Sequence, residues 1–188
     1  MIKLSTTRKE FKQATMAIKF VQTNIPKAFS SAMNRVSQGV RTEAVKKVRE
    51  IYHVKAGDVR QTIRITKASA ARLEMIFTSR GPSIPLIKFK TTPSRVPRKQ
   101  PRVLRAAVKK TGGKKPIPGA FVAEMRSGHL GVFERAGKRR TPINQLFGPA
   151  IPVMLSEPGI AEHLQTEAQR RMADRLDHEV GRVLGRMR

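Results

Sequence analysis

Between Pro118 and Pro152 the chain is punctuated so heavily by glycine and proline that few folds remain open to it. Gly119, Gly128, Gly131, Pro142, Gly148, Pro149 and Pro152 come too close together for a long helix. Glycine permits positive φ or close chain approach, whereas proline fixes φ and removes an amide donor. Two short apolar runs, Ala120–Ala123 and His129–Glu134, flank Arg126–Gly128. That pattern predicts a β-hairpin turning at Gly128. Phe121, Val132 and Phe133 are the expected anchors of the hairpin. Leu146, Phe147 and Ile151 are the expected anchors of an extended, proline-rich segment over 143–155. Between them lies a cationic turn, Gly137–Arg140, carrying Arg139 and Arg140.

The second constraint is charge. The 188 residues hold 39 Lys and Arg against 13 Asp and Glu, a formal net charge of +26. A compact state so charged repels itself, so a polyanion or acidic neighbouring subunits are expected to offset it. The excess is uneven. Twelve basic residues lie between Glu74 and Glu124 with no acidic residue among them. Arg80, Lys88 and Lys90 precede a proline-spaced stretch that holds Arg95, Arg98, Lys99, Arg102 and Arg105. Lys109, Lys110, Lys114 and Lys115 complete the run. A solvated face normally mixes signs. The run therefore reads as phosphate neutralisation without base reading, the alternative being an arm ordered against acidic protein.

The rest of the chain predicts an α+β fold. Phe11, Thr15 and Ile18 recur at helical spacing before Asn24–Pro26, where Pro26 suits the first turn of a new helix. Phe29, Ala32, Val36, Val40, Ala44, Val48 and Ile51 form that helix's apolar stripe. Gly39 marks a bend or a close helix contact. Asp58 is a candidate cap for one short turn. Thr62–Lys67, Arg72–Ser79, Ile84–Lys90 and Val103–Lys109 read as strands, with Pro85 at an edge or strand end. Thr91–Gln100 reads as a loop. A C-terminal helix is expected from near Gly159, with Ile160, Leu164, Ala168, Met172, Leu176, Val180 and Met187 on its apolar side. Residues 1–25 are expected to form a helical arm, and residues 26–188 a single domain with a basic loop at about 90–117. The long helix and the C-terminal helix are expected to pack on one face of a mainly antiparallel sheet.

No catalytic or cofactor chemistry is legible. His53, His129, His163 and His178 lack metal-ligand spacing, and His129 suits a structural or interface hydrogen bond. Gly112–Lys115 lacks the phosphate-loop spacing. Glu124 and Glu134 are expected to face each other across the hairpin, and in so basic a chain each is expected to salt-bridge a basic residue rather than act as an acid catalyst. There is no cysteine, which excludes disulfides and thiolate metal sites. No apolar run reaches the length of a membrane span, and the first ten residues carry no signal-peptide core, so no membrane contact is expected and synthesis in the cytoplasm is.

Several blocks together carry a resemblance. They are Pro82-Ser-Ile-Pro-Leu-Ile-Lys-Phe-Lys, Pro118-Gly-Ala-Phe-Val-Ala, Ser127-Gly-His-Leu-Gly-Val-Phe-Glu-Arg, Lys138-Arg-Arg-Thr-Pro-Ile and Leu146-Phe-Gly-Pro-Ala-Ile-Pro. In order and spacing they resemble the minor tail protein Z family of tailed bacteriophages. Met1–Pro26 shares least. A looser likeness extends to other tail-completion and neck proteins. The resemblance implies a structural virion protein with no catalytic residues. It implies a homo-oligomeric ring, six-fold by tail symmetry, at the head-proximal end of the tail. Its partners would be terminator, tail tube, tape-measure or connector proteins, with non-specific contact to phage DNA. The run Lys88–Lys115 and the tip Arg139–Arg140 would then reach a neighbouring subunit or the lumen. A free basic nucleic-acid-binding protein is the alternative class.

Overall fold

The computed structural model describes residues 8–101 and 103–185, and it begins with one helix where the sequence predicts two. Helix α1 runs over Arg8–Ile51 with Pro26 inside it. A proline within a helix removes one hydrogen bond and costs roughly 3 kcal/mol in isolation. Just before it, the Thr23 and Asn24 side chains each donate 2.8 Å hydrogen bonds to the Lys19 and Phe20 carbonyls, capping the preceding turn from outside. The buried stripe is continuous beyond Pro26. Ala28, Ala32, Val36, Val40, Ala44 and Val48 repeat every fourth residue, all at most 6% exposed. Ser37, wholly buried, donates back to the Asn34 carbonyl at 2.7 Å, so its hydroxyl is satisfied. Ile18, expected on a buried stripe, is 59% exposed, and the side chain of Phe11 lies outside the described residues.

The described chain divides into two compact units, with boundaries inside α1, β1, β2 and α4. One holds the described residues up to Val40, then Ile65–Phe77, then those from Leu164 onward. Within it the Asn34 amide clamps Ala68, donating to its carbonyl at 2.8 Å and accepting from its amide at 2.9 Å. Arg171 lies over Gly39, where any Cβ would meet its guanidinium, so the glycine serves a close contact. Arg170 and Arg171 hold the Glu167 carboxylate at 2.9 Å and 2.7 Å and depress its pKa to about 2.

The other unit holds Arg41–Arg64 and Thr78–His163. After α1 comes the short helix α2, Ala56–Thr62, with Asp58 in its first turn; its N-cap position is Lys55, without a side-chain cap. Strand β1, Ile63–Thr66, pairs with β2, Ile76–Ser79. The predicted strand over Ile84–Lys90 is broken. Strand β3, Ser83–Pro85, gives way to a 3₁₀ turn over Leu86–Lys88 before β4, Lys90–Thr92. The turn buries both Leu86 and Phe89, which strict alternation would not allow on one sheet face. Antiparallel β5, Leu104–Ala107, lies between β4 and β6, Lys115–Ile117.

The predicted hairpin forms. Strand β7, Ala120–Glu124, pairs with β8, Leu130–Arg135, and β8 with β9, Ile143–Gln145. The register sets Glu134 opposite Ala120 and Glu124 opposite Leu130, so the two carboxylates do not face each other as expected. Strand β10, Phe147–Ala150, pairs antiparallel with β3. The segment expected to stay extended to Leu155 instead turns into helix α3, Ile151–Leu155, because Pro152 in the first turn forfeits no hydrogen bond. Ile151, Met154 and Leu155 then meet on one buried face. Helix α4, Pro158–Gly185, begins where predicted; Met187 lies outside the described residues. The α+β class holds, with a long first helix, a long last helix and antiparallel strands. Among the described residues the strands form four small sheets rather than one.

Candidate polyanion and assembly surface

The unbroken basic run is spread over the β4–β5–β6 sheet and its connections, and the structure sorts its members. Lys88 reaches Asp58 at 3.3 Å. Lys109 pairs closely with Glu157 and stands 5.4 Å over the Tyr52 ring. Hydrogen bonds from Lys109 and Tyr52 lower the Glu157 pKa, while burial and then Glu157 raise that of Tyr52. Lys114 is tied to the Thr92 hydroxyl. Those three are structural in part. Arg80, Lys90, Arg95, Arg98, Lys99, Arg105, Lys110 and Lys115 are exposed and have no carboxylate partner among the described residues. Arg102 lies outside the described residues.

Position follows from strand alternation. In β5, Leu104 and Ala106 turn inward and Arg105 outward, level with Thr92 on β4 and Pro116 on β6. Arg95, Arg98 and Lys99 ride on the β4–β5 connection. That connection is fixed at one point, where the Gln100 amide donates to the Val122 carbonyl at 2.7 Å. The cations are thus carried on a tethered loop beside a small sheet.

The glycine- and proline-rich block works as a backbone device at particular positions. Gly128, at φ +77°, closes the β7–β8 turn with its amide on the Met125 carbonyl at 2.9 Å. Gly148 instead admits the Phe89 ring, which a Cβ would meet at 2.5 Å. Gly119 also has positive φ, and Pro149 sits beside Gly148 in β10. Val132 and Phe133 are buried, and Phe133 lies 6.4 Å from the Phe121 ring and 6.5 Å from the exposed His129 ring. Arg135, which sequence reasoning passed over, stands 5.7 Å over Phe121. The tip from Gly137 to Arg140 is exposed and closed at its base by the Ala136 amide on the Pro142 carbonyl at 3.1 Å.

Phe147 corrects an expectation. It was expected to anchor the extended segment, yet it is 53% exposed, because β10 alternation turns Gly148 rather than Phe147 toward Phe89. Ile151 is the true anchor at 1% exposure. Phe147→Ala should therefore leave thermal unfolding within about 0.5 kcal/mol of the parent. If Phe147 and the Arg139–Arg140 tip serve an interface, both Phe147→Ala and the double change Arg139→Ala with Arg140→Ala will weaken assembly into tails while preserving the fold. A Phe147→Ala loss of several kcal/mol would restore the anchor role. Normal assembly of either variant would remove that site from the interface.

Sequence reasoning also missed the convergence of Arg49, His53 and Lys55 with Lys88, Lys90 and Lys110 around one open depression of about 360 Å³. No local motif signals it, because its walls come from three separate stretches of chain. Among the described residues no three His, Asp or Glu side chains are grouped to hold a metal ion. Among them no helix is long and apolar enough to cross a membrane.

Comparison with known proteins covers nearly the whole chain. The model of a family described as prophage minor tail protein Z matches residues 9–187. A protein named tail completion protein, from Escherichia phage N15, is 26% identical over 128 residues, covering 68% of this chain and 70% of its own. No solved structure matches.

Proposed function

The chain belongs to the prophage minor tail protein Z family, and from that premise we propose that it completes the head-proximal end of a phage tail as a ring of identical copies. It stands next to the terminator, where head and tail join and DNA passes. The name of the phage N15 relative, a tail completion protein, supports the stage of action. The observation that carries the physical part is that Arg95, Arg98, Lys99 and Arg105 are exposed and have no carboxylate partner among the described residues. Such a surface attracts a polyanion and reads no sequence, which suits a passage for DNA of any composition.

Cyclic symmetry lets every copy use the same contact. The edges of β6 and β9 and the exposed Phe147 are the surfaces best suited to it, since unpaired strand edges invite pairing. The family points to a structural component, and a free nucleic-acid-binding protein is the less favoured reading. The test is native mass, measured for the purified protein alone and within tails assembled from its partners. A six-fold multiple in tails is the expected result. A strict monomer in assembled tails would overturn the ring.

A further inference from the structure

The depression missed by sequence reasoning is built, not incidental. Arg49 comes from the last turn of α1, and His53 and Lys55 follow that helix. Lys88 and Lys90 come from the 3₁₀ turn and β4, and Lys110 from just after β5. Backbone hydrogen bonds stitch these stretches together. The His53 amide donates to the Val108 carbonyl at 2.9 Å and the Lys110 amide to the Ile51 carbonyl at 2.7 Å. Lys90 is fixed opposite Ala107 by the β4–β5 ladder. Five full positive charges therefore share one wall system by backbone design. Among the described residues Asp58 reaches one of them, Lys88, at 3.3 Å. A second depression, of about 390 Å³, adjoins the first, since Arg49 and Lys110 line both. It adds Lys46, which lies 3.8 Å from the Glu43 carboxylate, and Arg60, with Glu50 held by Lys47 at 3.4 Å.

We propose that the depression walled by Arg49, His53, Lys55, Lys88, Lys90 and Lys110 seats a backbone phosphate of DNA, with the next phosphate along the strand lying toward the adjoining depression. This rests on the reading that the protein contacts DNA, and it adds a defined seat apart from the Arg95–Arg105 surface. Crowded cations with almost no counter-charge are an unfavourable arrangement in the free protein and a favourable one around an anion. Two depressions sharing a ridge of Arg49 and Lys110 suit a chain of phosphates better than a single ion. Acidic-motif sites on proteins use arginine clusters, whereas this wall holds one arginine among four lysines.

His53 reports on the seat. Partial burial and then Lys90, Lys110 and Lys114 lower its pKa below the ordinary 6.5. Arg49, Lys55 and Lys88 share the depression and add to the positive field, while Asp58 opposes it. A phosphate seated there offsets part of that field and raises the His53 pKa. By linkage, binding then tightens as pH falls through the bound-state pKa toward the free-state value.

The test uses the full chain and a short duplex DNA of arbitrary sequence. NMR titration of the histidine rings should show the His53 pKa rising on DNA binding. Arg49→Gln with Lys110→Gln should abolish that rise and flatten the dependence of log K on log salt by about 1.8. The pair Lys55→Gln with Lys90→Gln, which line the first depression alone, should also abolish the rise and should flatten the slope by about 0.9 for its one phosphate, which guards against one variant failing to fold. An unchanged slope and an unmoved His53, with DNA still bound, would overturn the seat and leave the DNA contact elsewhere. Absence of DNA binding by the unmodified protein at low salt would overturn both. Movement of His53 by polyglutamate and not by DNA would assign the depression to an acidic protein and overturn the proposal.

Discussion

Replacing Arg95, Arg98, Lys99, Arg102 and Arg105 together with Gln will flatten the salt dependence of DNA binding by about 4.5 in log K against log salt, if each meets one phosphate. Over a rise from about 50 to about 200 mM salt, the unmodified protein then loses roughly five hundredfold more affinity than the variant. The size of the effect follows from released counterions rather than from shaped contacts, so it should not depend on DNA sequence. The described members of the set are exposed and lack carboxylate partners, so their removal leaves no charge buried and unpaired. Far-ultraviolet circular dichroism should match the parent, and joining of heads to tails should fall. An unchanged slope would turn the surface toward acidic protein instead of DNA. Normal infectivity of the variant would remove the role altogether.

Leu104→Ala will cost roughly 2–5 kcal/mol. Leu104 is fully buried on the central strand of the β4–β5–β6 sheet, opposite Ile117 on β6. Truncation removes apolar contact on both sides of its strand and leaves a cavity that paired neighbours cannot easily close. A domain has only about 5–15 kcal/mol in hand. This chain also carries a net charge of +26 in its folded state, which narrows the margin at low salt. The variant should therefore accumulate poorly as soluble protein, and urea unfolding should show a lowered midpoint. Val153→Ala, at a position 62% exposed in α3, provides the control and should change stability by less than about 0.5 kcal/mol. A loss below about 1 kcal/mol for Leu104→Ala would show that β5 is not the centre of its unit's core.

Local physics made much of this legible in the sequence. The hairpin was readable because Gly128 demands a turn and the flanking residues alternate. The C-terminal helix was readable from an apolar step of four beginning at Ile160. The long helix was readable in its stripe but not in its continuity. Pro26 is a strong local stop, and only the uninterrupted run of buried residues from Ala28 to Val48 overrides it. Pro152 misled in the same way, since it fits an extended chain and a first helical turn equally well, whereas Pro85 ends its strand as expected. Phe147 could not be placed, because its side depends on a register set by pairing with β3, more than sixty residues away. The basic run was visible as composition. Its division into partnered Lys88 and Lys109 and unpartnered arginines was not, because Asp58 and Glu157 approach only in the fold. The seat around His53 was invisible for the same reason, being assembled by long-range backbone hydrogen bonds rather than by spacing.

The most direct measurement is a density map of the assembled tail end with this protein in place. The account predicts a closed ring of identical copies at the head-proximal end, with Arg95, Arg98, Lys99 and Arg105 facing the DNA passage and Phe147 meeting a neighbouring protein. A single copy, a position at the distal tip, or a basic surface turned away from the passage would contradict it.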